Sequence, residues 1–126
     1  MKKLLLTALL CFSINGFAFN WKKVGENVNG SSYYVDVDSI KNHNGFLYYW
    51  ALADWLEPNS VGTYSHIDKF KVDCGEEKQT YMSVTFYSQN MGKGRITSDS
   101  NYNEIEYPKP NSISYDVMKF ACDRAK

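Results

Sequence analysis

Residue types that could form a catalytic set cluster around His66. Its polar neighbours Ser65 and Asp68 are the kinds of residue that serve as nucleophile and orienting acid beside a histidine base. Adjacent residues of a β-strand point to opposite faces, so Ser65 cannot sit over His66. The Gly-x-Ser-x-Gly turn of hydrolases is also missing from this segment. The sequence therefore predicts a protein that is not an enzyme.

A second segment, Gly92-Lys93-Gly94-Arg95, combines backbone freedom with two positive charges. Such a loop could contact a phosphate, a sulfate or an acidic sugar, although it lacks the spacing of a P-loop. A solvated turn with ordinary surface charges explains the same residues. Lys93 and Arg95 are accordingly the candidate partner-binding residues, with both interpretations open.

Metal and cofactor sites are not indicated by the sequence. Asp36 and Asp38 begin like a calcium loop, but Ile40 and Lys41 stand where Asp or Asn and then Gly are required. The two histidines are isolated and no Cys-x-x-Cys spacing occurs. We expect no metal and no cofactor.

The start of the chain has the pattern of a cleavable signal peptide. Two lysines follow Met1, an apolar stretch comes next, and small residues precede Phe19 at the positions that a signal peptidase reads. We predict a signal peptide over residues 1–18 and one domain over residues 19–126. The domain would be exported to the periplasm, the cell surface or the medium.

Two other interpretations of the same segment fit less well. A membrane anchor needs roughly 20 apolar residues, and the apolar run at 4–12 is far shorter. A lipid anchor on Cys11 requires a small residue before the cysteine, whereas Leu10 is bulky. The mature chain is therefore predicted to have no transmembrane segment.

Removal of residues 1–18 also fixes the charge and the cysteine count. It takes away two of the fourteen basic residues and none of the fourteen acidic ones, which leaves a net charge of about −2 and argues against nucleic-acid binding. Only Cys74 and Cys122 remain, and in an oxidising compartment such a pair is expected to form a disulfide. Free or metal-bound thiols are the alternative.

Hydrophobic periodicity mostly predicts β-strands in a meander. The strand predicted at 46–55 is apolar on both alternating sets and is expected to be covered on both faces. A single helical turn is expected from Asp38, and an irregular segment over 88–111 with at most a short strand around 105–107. The other predicted strands lie at 21–26, 33–37, 62–74 and 78–87, the last with Met82, Val84 and Phe86 facing inward.

The last predicted element is a helix. Ser112 is a suitable N-cap, and Ile113, Val117 and Phe120 form an apolar stripe that should dock on the sheet with Cys122 facing Cys74. The fold class is therefore α+β: about six antiparallel strands with a C-terminal helix packed on the sheet and linked to it by a disulfide.

Aromatic residues are unusually frequent, with ten Tyr and three Trp. The adjacent pairs Tyr33/Tyr34 and Tyr48/Tyr49 must each send one ring to either face of a strand. Some of these rings would then be exposed to a partner, unless both faces of the sheet are packed.

Taken in order, several short segments resemble the surface-adhesin protein E family of Gram-negative bacteria over almost the whole mature chain. These segments are Trp21 with Val24-Gly25, Tyr34-Val35-Asp36, Ser39-Ile40, the strand through Trp50, Val72-Asp73-Cys74, Phe86-Tyr87, Met91-Gly92-Lys93-Gly94 and Phe120-Ala121-Cys122. The resemblance implies a six-stranded antiparallel sheet with a disulfide-tied C-terminal helix. It also implies a binding protein for host matrix proteins or glycans, and it is compatible with a homodimer. The alternative function is a periplasmic structural or accessory protein that binds an envelope component.

Protein recovered after export should begin at Phe19 and carry no lipid, because the peptidase site follows Ala18. N-terminal sequencing together with an intact mass measures both properties. An acylated N-terminal Cys11 would contradict the prediction.

Overall fold

The computed structural model describes residues 18–125, so most of the predicted signal peptide lies outside the described residues. The described chain forms one antiparallel sheet followed by one α-helix, as the sequence predicted. The strand order is β1-β2-β4-β5-β6-β7, with the short β3 paired to the beginning of β4. The elements are β1 (Trp21–Glu26), β2 (Ser32–Asp36), β3 (Lys41–His43), β4 (Phe46–Asp54), β5 (Ser65–Asp73), β6 (Lys78–Gln89), β7 (Lys93–Glu106) and α1 (Ile113–Arg124).

The segment expected to be irregular, 88–111, is mostly a strand, and that prediction was wrong. β7 runs from Lys93 to Glu106 and pairs with β6 from Gln89 back to Gln79, with three register irregularities. Its side chains are largely polar and exposed, so the strand gives no alternating hydrophobic pattern in the sequence. Backbone pairing along an edge of the sheet does not require an apolar face.

The helix packs on one face of the sheet, called here the helix face. Val117 and Met118 from α1 join Val35, Tyr49 and other buried side chains in the main core. Ser112 caps the helix as predicted, because its Oγ accepts a hydrogen bond from the amide of Tyr115 at 3.1 Å. The rest of the buried cluster consists of Leu47, Ala51, Phe70, Val72 and Ala121.

Polar groups in this core are satisfied. The phenol of Tyr49 is fully buried and donates to Gln79 Oε1 at 2.5 Å. Gln79 in turn donates to Glu106 at 2.8 Å, which links the central strand β4 to the edge strand β7. Because unpaired buried polar groups are costly, this chain of bonds fixes the side-chain arrangement beneath the helix.

A disulfide between Cys74 and Cys122 joins the end of β5 to the last turns of α1, with Cα atoms 5.9 Å apart. This is the pairing that the cysteine count predicted. The bond lies at the opposite end of the helix from the Ser112 cap, so it ties the C-terminal end of α1 to the sheet.

A bulge in β6 changes which residues face inward. Register shifts beside Lys69 and Tyr81 turn Tyr81 toward the helix face, where its ring lies 4.7 Å from that of Phe70. Met82 was expected to face inward, but it lines a groove on the opposite face together with Phe46. A prediction that assumes strict alternation of faces cannot anticipate a bulge, since one inserted residue moves every later side chain to the other face of the sheet.

The turn after β2 also differs from its prediction. Residues 37–39 form a turn with no helix, and the capping carboxylate is that of Asp36. Its Oδ1 accepts from the amides of Asn20 at 2.9 Å and Asp38 at 3.3 Å. Asp36 is buried and Asp38 is exposed, so the first aspartate stabilises this connection.

Replacing Cys74 and Cys122 together by Ser should lower the free energy of unfolding by about 2–4 kcal/mol, because the disulfide restricts the unfolded chain. Urea unfolding of the double variant measures this loss. Reduced wild-type protein serves as the matched control and should unfold at the same denaturant concentration as the variant. An unchanged midpoint in the variant would contradict the assigned role of the bond.

Candidate binding surface

The face of the sheet opposite the helix, called here the open face, carries a row of aromatic rings. Tyr34, Tyr48 and Trp50 point to this face from β2 and β4, and all three are half-buried. Phe19 stacks on Trp21 with 4.6 Å between ring centroids and meets the edge of Trp50 at 6.1 Å. An uncovered face of an antiparallel sheet is usually polar, so this aromatic row is a candidate contact surface.

Two lysines of β5 lie among these rings. Lys69 Nζ is 5.4 Å from the centroid of Trp50, and Lys71 Nζ is 4.1 Å from that of Phe46, both within cation–π range. Within residues 18–125 neither ammonium group forms an ion pair. Their charges are therefore available to acceptor groups of a ligand.

Lys23, on β1, differs from those two lysines. Its Nζ lies 2.6 Å from Glu26 Oε1, and this hydrogen bond is the main cause that raises the pKa of Lys23. An exposed pair of this kind adds little stability, but it neutralises the charge at this edge of the sheet. Lys69 and Lys71 thus place unpaired positive charge among the aromatic rings of the open face.

One end of the open face is covered by the turn between β6 and β7. A 3₁₀ turn over Asn90–Gly92 folds back across the sheet, and Leu52 and Ile67 are buried beneath it. Gly92 has a φ of 69°, and a Cβ there would come within 2.8 Å of Ile67 Cδ1. Glycine is required at this position by both its conformation and its close approach. On the open face, the strand predicted at 46–55 is thus covered by this turn only at this end.

Side chains from two neighbouring strands hold the turn in place. Asp54 Oδ1 accepts from the amide of Met91 at 2.8 Å and from Asn90 Nδ2 at 3.0 Å. Ser65 Oγ donates to the carbonyl of Gln89 at 2.6 Å and accepts from the amide of Gly92 at 2.9 Å. The turn is therefore a fixed part of the surface.

The predicted contact residues Lys93 and Arg95 follow this turn and are both exposed. The amide of Lys93 donates to the carbonyl of Asn90, and that of Arg95 donates to Ser88 Oγ at 3.0 Å. With the amides of 91 and 92 also engaged, these backbone donors are not free to cradle an anion. Any contact with a partner by this segment must use the two charged side chains.

Around His66 the structure separates the residues as strand geometry requires. Ser65 faces the open face and bonds the turn, whereas His66 and Asp68 share the helix face, with Nδ1 and Oδ1 3.2 Å apart. Among the described residues no cluster of three or more metal-binding side chains occurs.

The comparison with protein families gives one match. The family model described as surface-adhesin protein E covers residues 21–123, which contain every described strand and nearly all of α1. No match was found among the curated proteins.

Solved structures with the same fold include those of protein E from Haemophilus influenzae. One has a TM-score of 0.67 at 18% identity, covering 85% of this chain and 86% of that one. A second crystal form has a TM-score of 0.65 at 18% identity, with coverage of 85% and 90%. At this identity the likeness establishes the fold.

No helix within the described part of the chain is long and apolar enough to span a membrane. The single helix has 12 residues and a largely polar outer side, including Lys119 and Asp123 in a surface pair at 3.7 Å.

Replacing Asp54 by Ala should release the turn, because two donors lose their shared acceptor. We expect a loss of about 1–3 kcal/mol in unfolding free energy and faster hydrogen exchange at Met91. Asp99→Ala is the matched control, since this exposed carboxylate accepts a single bond from Thr85 Oγ1. Equal exchange at Met91 in both variants would argue against the role of Asp54.

Proposed function

The chain belongs to the surface-adhesin protein E family, and from this premise we propose that it is an exported, non-enzymatic domain that binds a host matrix protein or glycan through the open face. The family is one of surface adhesins, which supports a binding role. The signal peptide predicted over residues 1–18 supports export. The homodimer implied by the resemblance stays a prediction.

The observation that carries the proposal is the row of aromatic rings with free lysines on a face without a covering layer. Trp50 and Phe46 each stand beside an ammonium group, at 5.4 and 4.1 Å respectively. Aromatic rings supply large contact area at low conformational cost and can pack on apolar side chains or on sugar rings. The lysines favour a ligand that carries acidic groups.

The shape of the surface favours a large ligand. Small molecules are usually held in concave sites. Apart from a groove beside Phe46 and Met82, the open face is an exposed sheet surface with one end closed by the Asn90–Gly92 turn. An extended surface of this kind gains affinity by contacting many groups of a large partner. A matrix protein or a long glycan meets this requirement.

We further propose that Lys93 and Arg95 contact the ligand at the closed end of this face. They directly follow the turn that packs on Ile67 and Leu52, and their side chains are exposed. A ligand lying along the open face would meet both charges as it passes the turn. Their contribution should depend on salt, because exposed charges are screened.

Replacing Lys69 and Lys71 together by Ala should weaken binding at least tenfold, a loss of about 1.4 kcal/mol. Binding of the exported protein to a panel of immobilised matrix proteins and glycans measures this change. Lys93→Ala with Arg95→Ala should cause a smaller loss that disappears at high salt, because these charges lie at the end of the face.

The matched control is Lys109→Ala with Lys119→Ala, which removes the same charge from exposed positions on the helix side. The control should bind like the wild type. Wild-type protein that binds no member of the panel would count against the function, and equal losses in both double variants would count against the surface.

A further inference from the structure

The helix face holds a cavity that the proposed function does not use. It has a volume of about 260 Å³ and opens beside the first turn of α1, where the helix leaves β5 and β6 uncovered. Three aromatic rings stand in its walls, those of Tyr33, Phe70 and Tyr81. Small apolar contributions come from Ala51 and Ala53, whose short side chains leave the space open.

A buried carboxylate lies in this cavity. Asp68 is 7% exposed and sits on β5 between Ala51 of β4 and Val84 of β6, so its sheet neighbours are apolar. Within residues 18–125 its side chain has one partner, His66, which reaches Oδ1 at 3.2 Å. No donor among these residues reaches the second carboxylate oxygen, which is open to solvent in the cavity, since no buried side-chain oxygen in this part of the chain lacks a partner. A ligand that displaces this solvent leaves a costly buried charge unless a cation meets it.

The charge balance around the cavity is negative. Glu106 adds a second carboxylate and accepts from Gln79 at 2.8 Å and from Ser114 Oγ at 2.7 Å. The N-terminal turn of α1 carries only about half a positive charge, and Asp116 in that turn opposes it. The lysines of β5, Lys69 and Lys71, point to the other face of the sheet.

The pKa values of two tyrosines in the cavity wall reflect the same negative charges. Burial raises the pKa of Tyr81, and the charges of Glu106 and Asp68 raise it further. Burial also raises the pKa of Tyr33, to which the Asp68 charge again contributes. Both phenols therefore stay neutral at physiological pH, and both residues line the cavity.

We propose that this cavity binds an alkylammonium group, with Asp68 as the counter-ion and the rings of Tyr33 and Tyr81 as its aromatic walls. An ammonium group would donate to the unoccupied carboxylate oxygen. The ring faces would stabilise its charge by cation–π attraction. The Tyr33 oxygen, which already accepts from Asn27 Nδ2 at 3.0 Å, holds that ring in place.

Other ligand classes fit the cavity less well. An anion would meet two carboxylates at close range. A metal ion would find Asp68 and His66 alone, which is fewer than the three protein ligands typical of a protein metal site. A neutral apolar ligand would leave the free oxygen of Asp68 without a donor, at a cost in binding free energy.

The remainder of such a ligand has a path out of the cavity. Tyr33 also lines a neighbouring open groove, whose other residues include Trp55 and Glu57. An amine carried on a longer chain could thus place its ammonium group at Asp68 while the chain lies in the groove. The shared chemistry is the alkylammonium, whether free or at the end of a lysine side chain.

The probe is n-butylammonium chloride, titrated into the exported protein at constant ionic strength and followed by amide chemical shifts in NMR. We expect saturable shifts near Asp68, Tyr81 and Ser114 with a Kd on the order of 1 mM, which is reasonable for so small a ligand. Neutral n-butanol, of the same size, should bind at least tenfold more weakly.

Two variants test the cavity in different ways. Asp68→Asn keeps the shape and removes the charge, and it should weaken butylammonium binding at least tenfold. Ser114→Leu keeps the charge and fills the space, and it should also abolish the shifts. Asp99→Asn is the control, because this carboxylate is exposed and lies on the open face. Thermal unfolding followed by circular dichroism confirms that each variant is folded.

A second arm distinguishes the two sources of the ammonium group. Nα-acetyl-lysine amide that binds as tightly as butylammonium supports recognition of a protein lysine, and butylammonium binding alone supports a free amine. The proposal is overturned if butanol equals butylammonium, if folded Asp68→Asn keeps its affinity within about twofold, or if no saturable shift appears below about 50 mM.

Discussion

The C-terminal helix covers only part of the sheet on which it packs. An α-helix about 10 Å across can cover two or three strands spaced about 4.8 Å apart, and this sheet has six in its main order. The helix contacts β1, β2 and β4, where Val35 and Tyr49 meet Val117 and Met118. Beyond Phe70 and Val72 of β5, which join the core beneath the helix, α1 leaves the helix face of β5 to β7 largely uncovered, and it does not reach the opposite face. Both candidate binding regions arise from this mismatch.

The protein uses different chemistry in these two uncovered regions. On the open face, Lys69 and Lys71 stand over aromatic rings, which places positive charge on an apolar surface. On the helix face, a buried carboxylate and two phenols line a cavity of about 260 Å³. We propose an extended partner with acidic groups for one side of the sheet and a small cation for the other.

Fixed connections preserve this arrangement. The Cys74–Cys122 disulfide ties the end of the helix to β5, and Ser114 Oγ donates to Glu106 of β7 at 2.7 Å near the start of the helix, so both ends are joined to the sheet. Asp54 and Ser65 hold the β6–β7 turn over Leu52 and Ile67. These contacts set the border of the open face, because the turn covers this face beside Asp54, where β4 ends.

The sequence by itself determined the helix, most strands and the cysteine pair, since periodicity, a capping serine and an even cysteine count are local or countable properties. It also indicated Lys93 and Arg95 as exposed charges and separated Ser65 from His66. The tertiary structure decided the rest. β7 was missed because backbone pairing makes it a strand, and Met82 was misplaced because a bulge reverses the faces. The surroundings of Asp68, Lys69 and Lys71 depend on strand order and helix width, which bring together residues far apart in the chain.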